Sequence, residues 1–138
     1  MDKLLDLEQQ GTLYLRMPEI AKLTVKAFFH GAEELRFYEL HAYVVMANHI
    51  HLLITPFVDL AKITHSLKRF IAREANGMLG LTGKPFWQDE SYDRLVRDRP
   101  EFERIRRYIE NNPVRAGLVA TPEDHPRSSA AQPIKLPR

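Results

Sequence analysis

Two histidines one residue apart, inside a run of residues that reads as a β-strand, constrain this chain more than any other feature. The run Val44-Val45-Met46-Ala47-Asn48-His49-Ile50-His51-Leu52-Leu53-Ile54-Thr55-Pro56 is rich in β-branched and aliphatic side chains and is closed by proline. Side chains at i and i+2 of a strand leave the same face, so His49 and His51 converge there while Ile50, Leu52 and Ile54 pack on the other. Burying two unpartnered imidazoles is costly. They need hydrogen-bond acceptors or an ion, and the spacing is that of a metal site.

A second motif lies downstream in Tyr108-Ile109-Glu110-Asn111-Asn112-Pro113-Val114-Arg115-Ala116-Gly117. A helix here puts Tyr108 and Asn112, four residues apart, on one face. Each residue has two readings. Tyr108 borders an apolar stripe, which suits a packed ring with a wet hydroxyl, yet a tyrosine beside a divalent ion is also a nucleophile suited to a stable, reversible phosphoester. Asn112 precedes proline, which disfavours α geometry and suits the cap of a short turn, yet its amide oxygen is also a neutral metal ligand.

Composition bounds the rest. The length of 138 residues and 44% hydrophobic content suit one domain with a packed core. The absence of cysteine excludes disulfides and thiolate metal sites, leaving His, Asp, Glu and Asn as ligands. No apolar run approaches the roughly 20 residues of a membrane span, and the N-terminus has no secretory pattern, so a cytoplasmic protein is expected. Net charge is only +2, but the sequence pI is near 9.0 and Arg and Lys cluster between residues 62 and 115. An anionic partner fits this clustering, as does a solvated basic face.

Periodicity orders the elements. Residues 18–29 read as a helix opened by Pro18 and stopped by Gly31. Residues 36–46 alternate, with Tyr38, Leu40, Ala42 and Val44 on one face, and join the histidine strand through Ala47-Asn48 as a hairpin. A second helix runs from an Asp59 cap to Asn76-Gly77, with Leu60, Ile63, Leu67, Phe70 and Ile71 inward and Lys62, His65, Arg69 and Arg73 outward. After a glycine-rich loop, residues 91–96 form a strand. Asp98 and Glu101 then have capping-box spacing before a helix whose apolar stripe, Phe102, Ile105 and Ile109, ends ahead of Pro113. The domain closes near residue 120, and residues 121–138, rich in Pro and Ser, read as a partly disordered tail.

The cations between residues 62 and 115 are interleaved with Phe86, Trp87 and Tyr92, a pairing that suits single-stranded or hairpin nucleic acid. Trp87 taken singly reads as core. Lys62, Lys68, Arg69, Arg73, Arg97 and Arg115 are the expected DNA contacts.

Taken together, residues 43–53, Phe86-Trp87-Gln88-Asp89-Glu90-Ser91-Tyr92-Asp93 with Val96-Arg97-Asp98, and Tyr108-Ile109 leading to Asn112-Pro113-Val114-Arg115-Ala116-Gly117-Leu118-Val119 resemble the REP-associated tyrosine transposases. These fall within the single-tyrosine HUH (His-hydrophobic-His) transposases of bacterial insertion sequences, and the likeness covers roughly residues 18–130. It implies an α+β fold: a mostly antiparallel, ferredoxin-like sheet flanked by helices. It also implies hairpin DNA as partner and cleavage and rejoining of single-stranded DNA through a 5′-phosphotyrosine. Tyr108 is then the nucleophile and His49, His51 and Asn112 the ligands of Mg²⁺ or Mn²⁺.

Three departures stand out. Family members usually have a first strand before the segment corresponding to residues 13–18; here only residues 1–12 precede it, and they look too short and polar for a core strand. The sheet is then either incomplete or completed by a second copy in a homodimer. Ala47 stands where a turn former is common, and Arg127 replaces an aromatic before Ser128-Ser129. A missing strand favours the alternative of a hairpin-binding remnant that does not cut, whereas the retained histidines and tyrosine favour an enzyme. A histidine-motif nucleotide hydrolase is disfavoured, because Leu53 occupies the third position of H-x-H-x-H.

Overall fold

The computed structural model describes residues 1–9, 14–132 and 134. It contains strand β1 (Lys3–Gln9), helix α1 (Pro18–Phe29), strands β2 (Tyr38–Val45) and β3 (His49–Pro56), helix α2 (Leu60–Leu79), strand β4 (Trp87–Leu95) and helix α3 (Arg99–Arg115). The strands form one antiparallel sheet in the order β2-β3-β1-β4. The succession β1-α1-β2-β3-α2-β4 is ferredoxin-like, with α3 added on the sheet's other face.

The expectation of a missing first strand is overturned. Lys3–Gln9 is β1, one of the two central strands, paired with β3 on one side and β4 on the other. It looks too polar because only one of its faces is core. Leu5 and Leu7 are fully buried against α1 and α2, while Leu4, Asp6 and Glu8 alternate onto the α3 face. This sheet needs no strand from a second copy.

Two apolar layers result. Leu5, Leu7, Ile50, Leu52 and Ile54 pack under Ile20, Phe28, Ile63, Leu67 and Ile71 of α1 and α2. On the other face Ala42, Val44 and Leu53 meet Phe102, Ile105 and Ile109 of α3. Strand β2 does not alternate as read from sequence. A bulge shifts the register between Leu40, opposite Ile54, and Ala42, opposite Leu53. Tyr38 and Leu40 therefore join the α1/α2 layer while Ala42 and Val44 join the α3 layer.

Element ends also differ from expectation. Gly31 does not stop α1: the chain continues into a π-helical turn, His30–Glu34. A Cβ at Gly31 would lie 2.5 Å from the Tyr38 hydroxyl, which donates to the Phe28 carbonyl at 2.6 Å. The glycine makes room for that ring. Helix α2 runs to Leu79 and is closed by left-handed Gly80, and Asp59 at its N-cap makes no side-chain cap bond. Strand β4 begins four residues earlier than expected, at Trp87, whose indole is buried and donates to the Lys68 carbonyl.

Helix α3 starts as read, with Asp98 accepting from the Glu101 amide. It does not end before Pro113. Asn112 and Pro113 are buried inside it, and the close comes at Gly117 (φ 75°). There Leu118 donates to the Pro113 carbonyl and Gly117 to that of Val114, a Schellman motif that satisfies the carbonyls of the last turn. Part of the segment read as a partly disordered tail returns to the sheet, while residues 133 and 135–138 of it lie outside the described residues. Ser128 bridges Val44, and the Ser129 hydroxyl, donating to Glu110 at 2.6 Å, accepts from the Tyr43 amide, tying β2 to α3 along an otherwise open edge.

Candidate active site

One cross-strand row organises the α3 face. Val44 of β2 is opposite His51 of β3, His51 is opposite Asp6 of β1, and Asp6 is opposite Tyr92 of β4. Opposite residues of paired strands share a face, so Asp6 lies beside His51 under α3. His49, two residues earlier, has its ring centroid 4.8 Å from that of His51. The strand therefore brings the two imidazoles together as the sequence implied.

Helix α3 sets Tyr108 against this pair. The Tyr108 and His51 rings stand 6.0 Å apart at 72°, and the phenol remains 40% exposed. Both line a cleft of about 510 Å³ with Asp6, Arg94 and Arg104. The Arg115 guanidinium lies over the Tyr108 ring at 4.3 Å. Asn112 is buried one turn beyond Tyr108 and does not line the cleft. Because the helix continues past it, Asn112 is not the cap of a new turn.

Burial, followed by the positive fields of His49 and Arg115, pushes the His51 imidazole down to about 4. At neutral pH it is uncharged, the form in which imidazole binds metals. Burial raises the Asp6 carboxyl, opposed by His49 and reinforced by Glu8. The 3.8 Å approach of Asp6 Oδ1 to His51 Nδ1 is therefore a contact with a neutral ring, not an ion pair. Both atoms are buried without a hydrogen-bond partner among the described residues. Buried polar atoms are rarely left so.

These features fit a divalent cation. His49 turns Nδ1 to Asn48 Oδ1 at 3.0 Å, which leaves its other ring nitrogen for an ion shared with His51. Among the described residues no three His, Cys, Asp or Glu side chains stand together as a ready ligand set. A neutral side chain, substrate or water would supply a further donor. Asp6 is the site residue that sequence reasoning missed; its signal was the alternation Leu5-Asp6-Leu7, which marks a half-buried strand.

The expected DNA contacts divide between two surfaces. Lys62, Arg69 and Arg73 are exposed on α2, across the sheet from Tyr108. Lys62 lies over the Phe37 ring, and the Lys68 ammonium donates to the Gln88 carbonyl, holding the start of β4. Arg97 is paired with buried Glu101 at 2.9 Å, as is Arg94 at 3.3 Å. Of the expected contacts Arg115 touches Tyr108, and Arg104, from the same cluster of cations between residues 62 and 115, shares its cleft.

An antiparallel α+β sheet with a histidine pair on a central strand, facing a tyrosine on a covering helix, defines the class of protein. The chain belongs to the family described as Transposase IS200 like, whose model matches residues 17–112. That match spans both histidines, Tyr108 and Asn112, and leaves β1 outside it. The fold is similar to that of a REP-associated tyrosine transposase solved bound to a REP hairpin, with a TM-score of 0.76 and 20% identity over 95% of this chain and 77% of the other. It is also similar to a Deinococcus radiodurans R1 protein assigned as a transposase, with a TM-score of 0.55 and 22% identity over 80% of this chain and 89% of that one. No protein of curated function matches the sequence. Among the described residues no helix is long and apolar enough to cross a membrane.

Proposed function

We propose that this transposase-family protein cleaves and rejoins single-stranded DNA beside a hairpin, with Tyr108 as the nucleophile. The observation that carries the reading is Tyr108 facing His51 across a cleft that also holds unpartnered polar atoms. The Tyr108 hydroxyl attacks the scissile phosphorus in line, and the bond from phosphorus to the 3′ oxygen breaks. The 5′-phosphate stays on the tyrosine and the 3′ oxygen leaves as a hydroxyl, carrying a proton. Attack by a 3′-hydroxyl reverses the step and rejoins the strand.

His49 and His51 would hold Mg²⁺ or Mn²⁺, with Asn112 as the proposed further ligand. When bound, such an ion polarises the scissile phosphate and offsets its developing charge. Arg115 over the Tyr108 ring and Arg104 along the same helix position phosphates on either side of the phenol. Lys62, Arg69 and Arg73 form a second basic surface, which we assign to hairpin affinity rather than to the reacting strand. The complete sheet removes the missing strand that favoured the alternative of a non-cutting remnant.

The test is a hairpin oligonucleotide with single-stranded flanks, incubated with Mg²⁺ or Mn²⁺. A denaturation-resistant adduct, located by mass spectrometry at Tyr108, is expected. The Tyr108→Phe variant should fold, bind the hairpin and form no adduct; cleavage undiminished in that variant would exclude the phenol as nucleophile.

A further inference from the structure

We infer that Asp6 is a positioning residue for His51, holding the imidazole so that its Nε2 faces the cation. The inference rests on the reading that His49 and His51 hold that ion.

The two histidines present the same ring nitrogen to an oxygen. His49 directs Nδ1 at Asn48 Oδ1, 3.0 Å away. His51 directs Nδ1 at Asp6 Oδ1, but at 3.8 Å, beyond hydrogen-bond reach. Those two are the buried side-chain atoms without a partner among the described residues. Two unsatisfied polar atoms in register across paired strands satisfy each other once the carboxylate swings in by under about 1 Å, to an ordinary hydrogen-bond length. Nδ1–H then donates to Asp6, and Nε2 is left bare as a ligand. A carboxylate behind a ligating imidazole fixes tautomer and ring orientation and raises the ligand's basicity.

Alternatives for Asp6 are weaker. Asp6 Oδ1 stands 3.8 Å from His51 Nδ1, and among the described residues Asp6 is not part of a three-residue acidic or histidine ligand set. Its strand neighbours Leu5 and Leu7 belong to the opposite layer, so core packing does not explain a carboxylate at this position.

The experiment uses the full chain and Mn²⁺ alone, without DNA. Free Mn²⁺ is followed by electron paramagnetic resonance, and the His51 tautomer by ¹⁵N NMR at neutral pH. In the native protein His51 should carry its proton on Nδ1. Asp6→Ala should weaken Mn²⁺ binding by roughly 10–100-fold and mix the tautomers. Asp6→Asn, whose amide oxygen still accepts from Nδ1–H, should restore much of the affinity. Native His51 protonated on Nε2, unchanged Mn²⁺ affinity in Asp6→Ala, or an Asn variant no better than Ala would each overturn the inference. The tautomer measurement needs no variant, so a poorly folding Asp6→Ala protein leaves it decisive. Tyr108→Phe should bind Mn²⁺ like the native protein, which separates this outcome from failure of the tyrosine chemistry.

Discussion

The Tyr108 phenol stands nearly edge-on to the His51 imidazole, the two ring centroids 6.0 Å apart, with one ring carried by α3 and the other by a central strand. Neither element alone makes a site. The contact depends on α3 lying over the β2–β3 hairpin through Ile105, Ile109, Val44 and Leu53.

Removal of the cation, by chelation or by His51→Ala, is therefore expected to abolish the tyrosine adduct while leaving hairpin affinity largely intact. Phosphate contacts from Arg and Lys dominate DNA binding and do not run through the imidazoles. Affinity measured by fluorescence anisotropy and adduct formation on denaturing gels should separate cleanly. Parallel loss of both in His51→Ala would place His51 in DNA binding instead.

The two basic surfaces should separate kinetically. Alanine at Lys62, Arg69 and Arg73 is expected to weaken hairpin binding and to lower the salt slope by about one unit for each phosphate no longer neutralised. Adduct formation at saturating DNA should be unaffected, because the sheet stands between α2 and Tyr108. Alanine at Arg104 and Arg115 should instead slow adduct formation even at saturation. The reverse pattern would show that the reacting strand crosses α2.

Glu101 supplies a test by pH. Hydrogen bonds from the Arg97 side chain and backbone amide hold its carboxyl down to about 2, from an ordinary value of 4.5, against the opposing effect of burial, with the charges of Arg97 and Arg94 adding to the depression. A lowered folded-state value means that the carboxylate stabilises the fold above pH 4.5, and that this contribution fades as pH falls toward 2. Glu101→Gln should melt below the native protein at pH 7. The difference in Tm should narrow between pH 4.5 and pH 2. A constant difference across that range would mean that packing, not charge, makes Glu101 matter.

Gly31→Ala tests the turn after α1. The added methyl would meet the Tyr38 hydroxyl at 2.5 Å, and that ring is buried and held by its bond to Phe28. Overpacking of this kind costs about 1–3 kcal/mol, so a clearly lower denaturant midpoint is expected. Addition of Tyr38→Phe should recover part of the loss by removing the clashing oxygen.

Several features were legible in the residues themselves. The i, i+2 histidines, the start of α1 at Pro18, the Asp98 cap and the inward stripe of α2 each follow from local periodicity or capping chemistry. Pro113 misled because the rule against α geometry before proline is a local preference. Burial of Asn112 and Pro113 and the Schellman closure at Gly117 outweigh it. The bulge between Leu40 and Ala42 left no trace in the alternation, since all the residues involved except His41 are apolar and suit either layer.

By itself the sequence determined that His49 and His51 share a strand face and that Tyr108 and Asn112 share a helix, because strand and helix periods are properties of the backbone. Only the tertiary structure decided that the short polar N-terminus is a central strand, and that Asp6 lies beside His51. Strand pairing across more than 40 residues of sequence sets that neighbour, and a strand with one face in the core and one in the site carries too few apolar residues to announce itself.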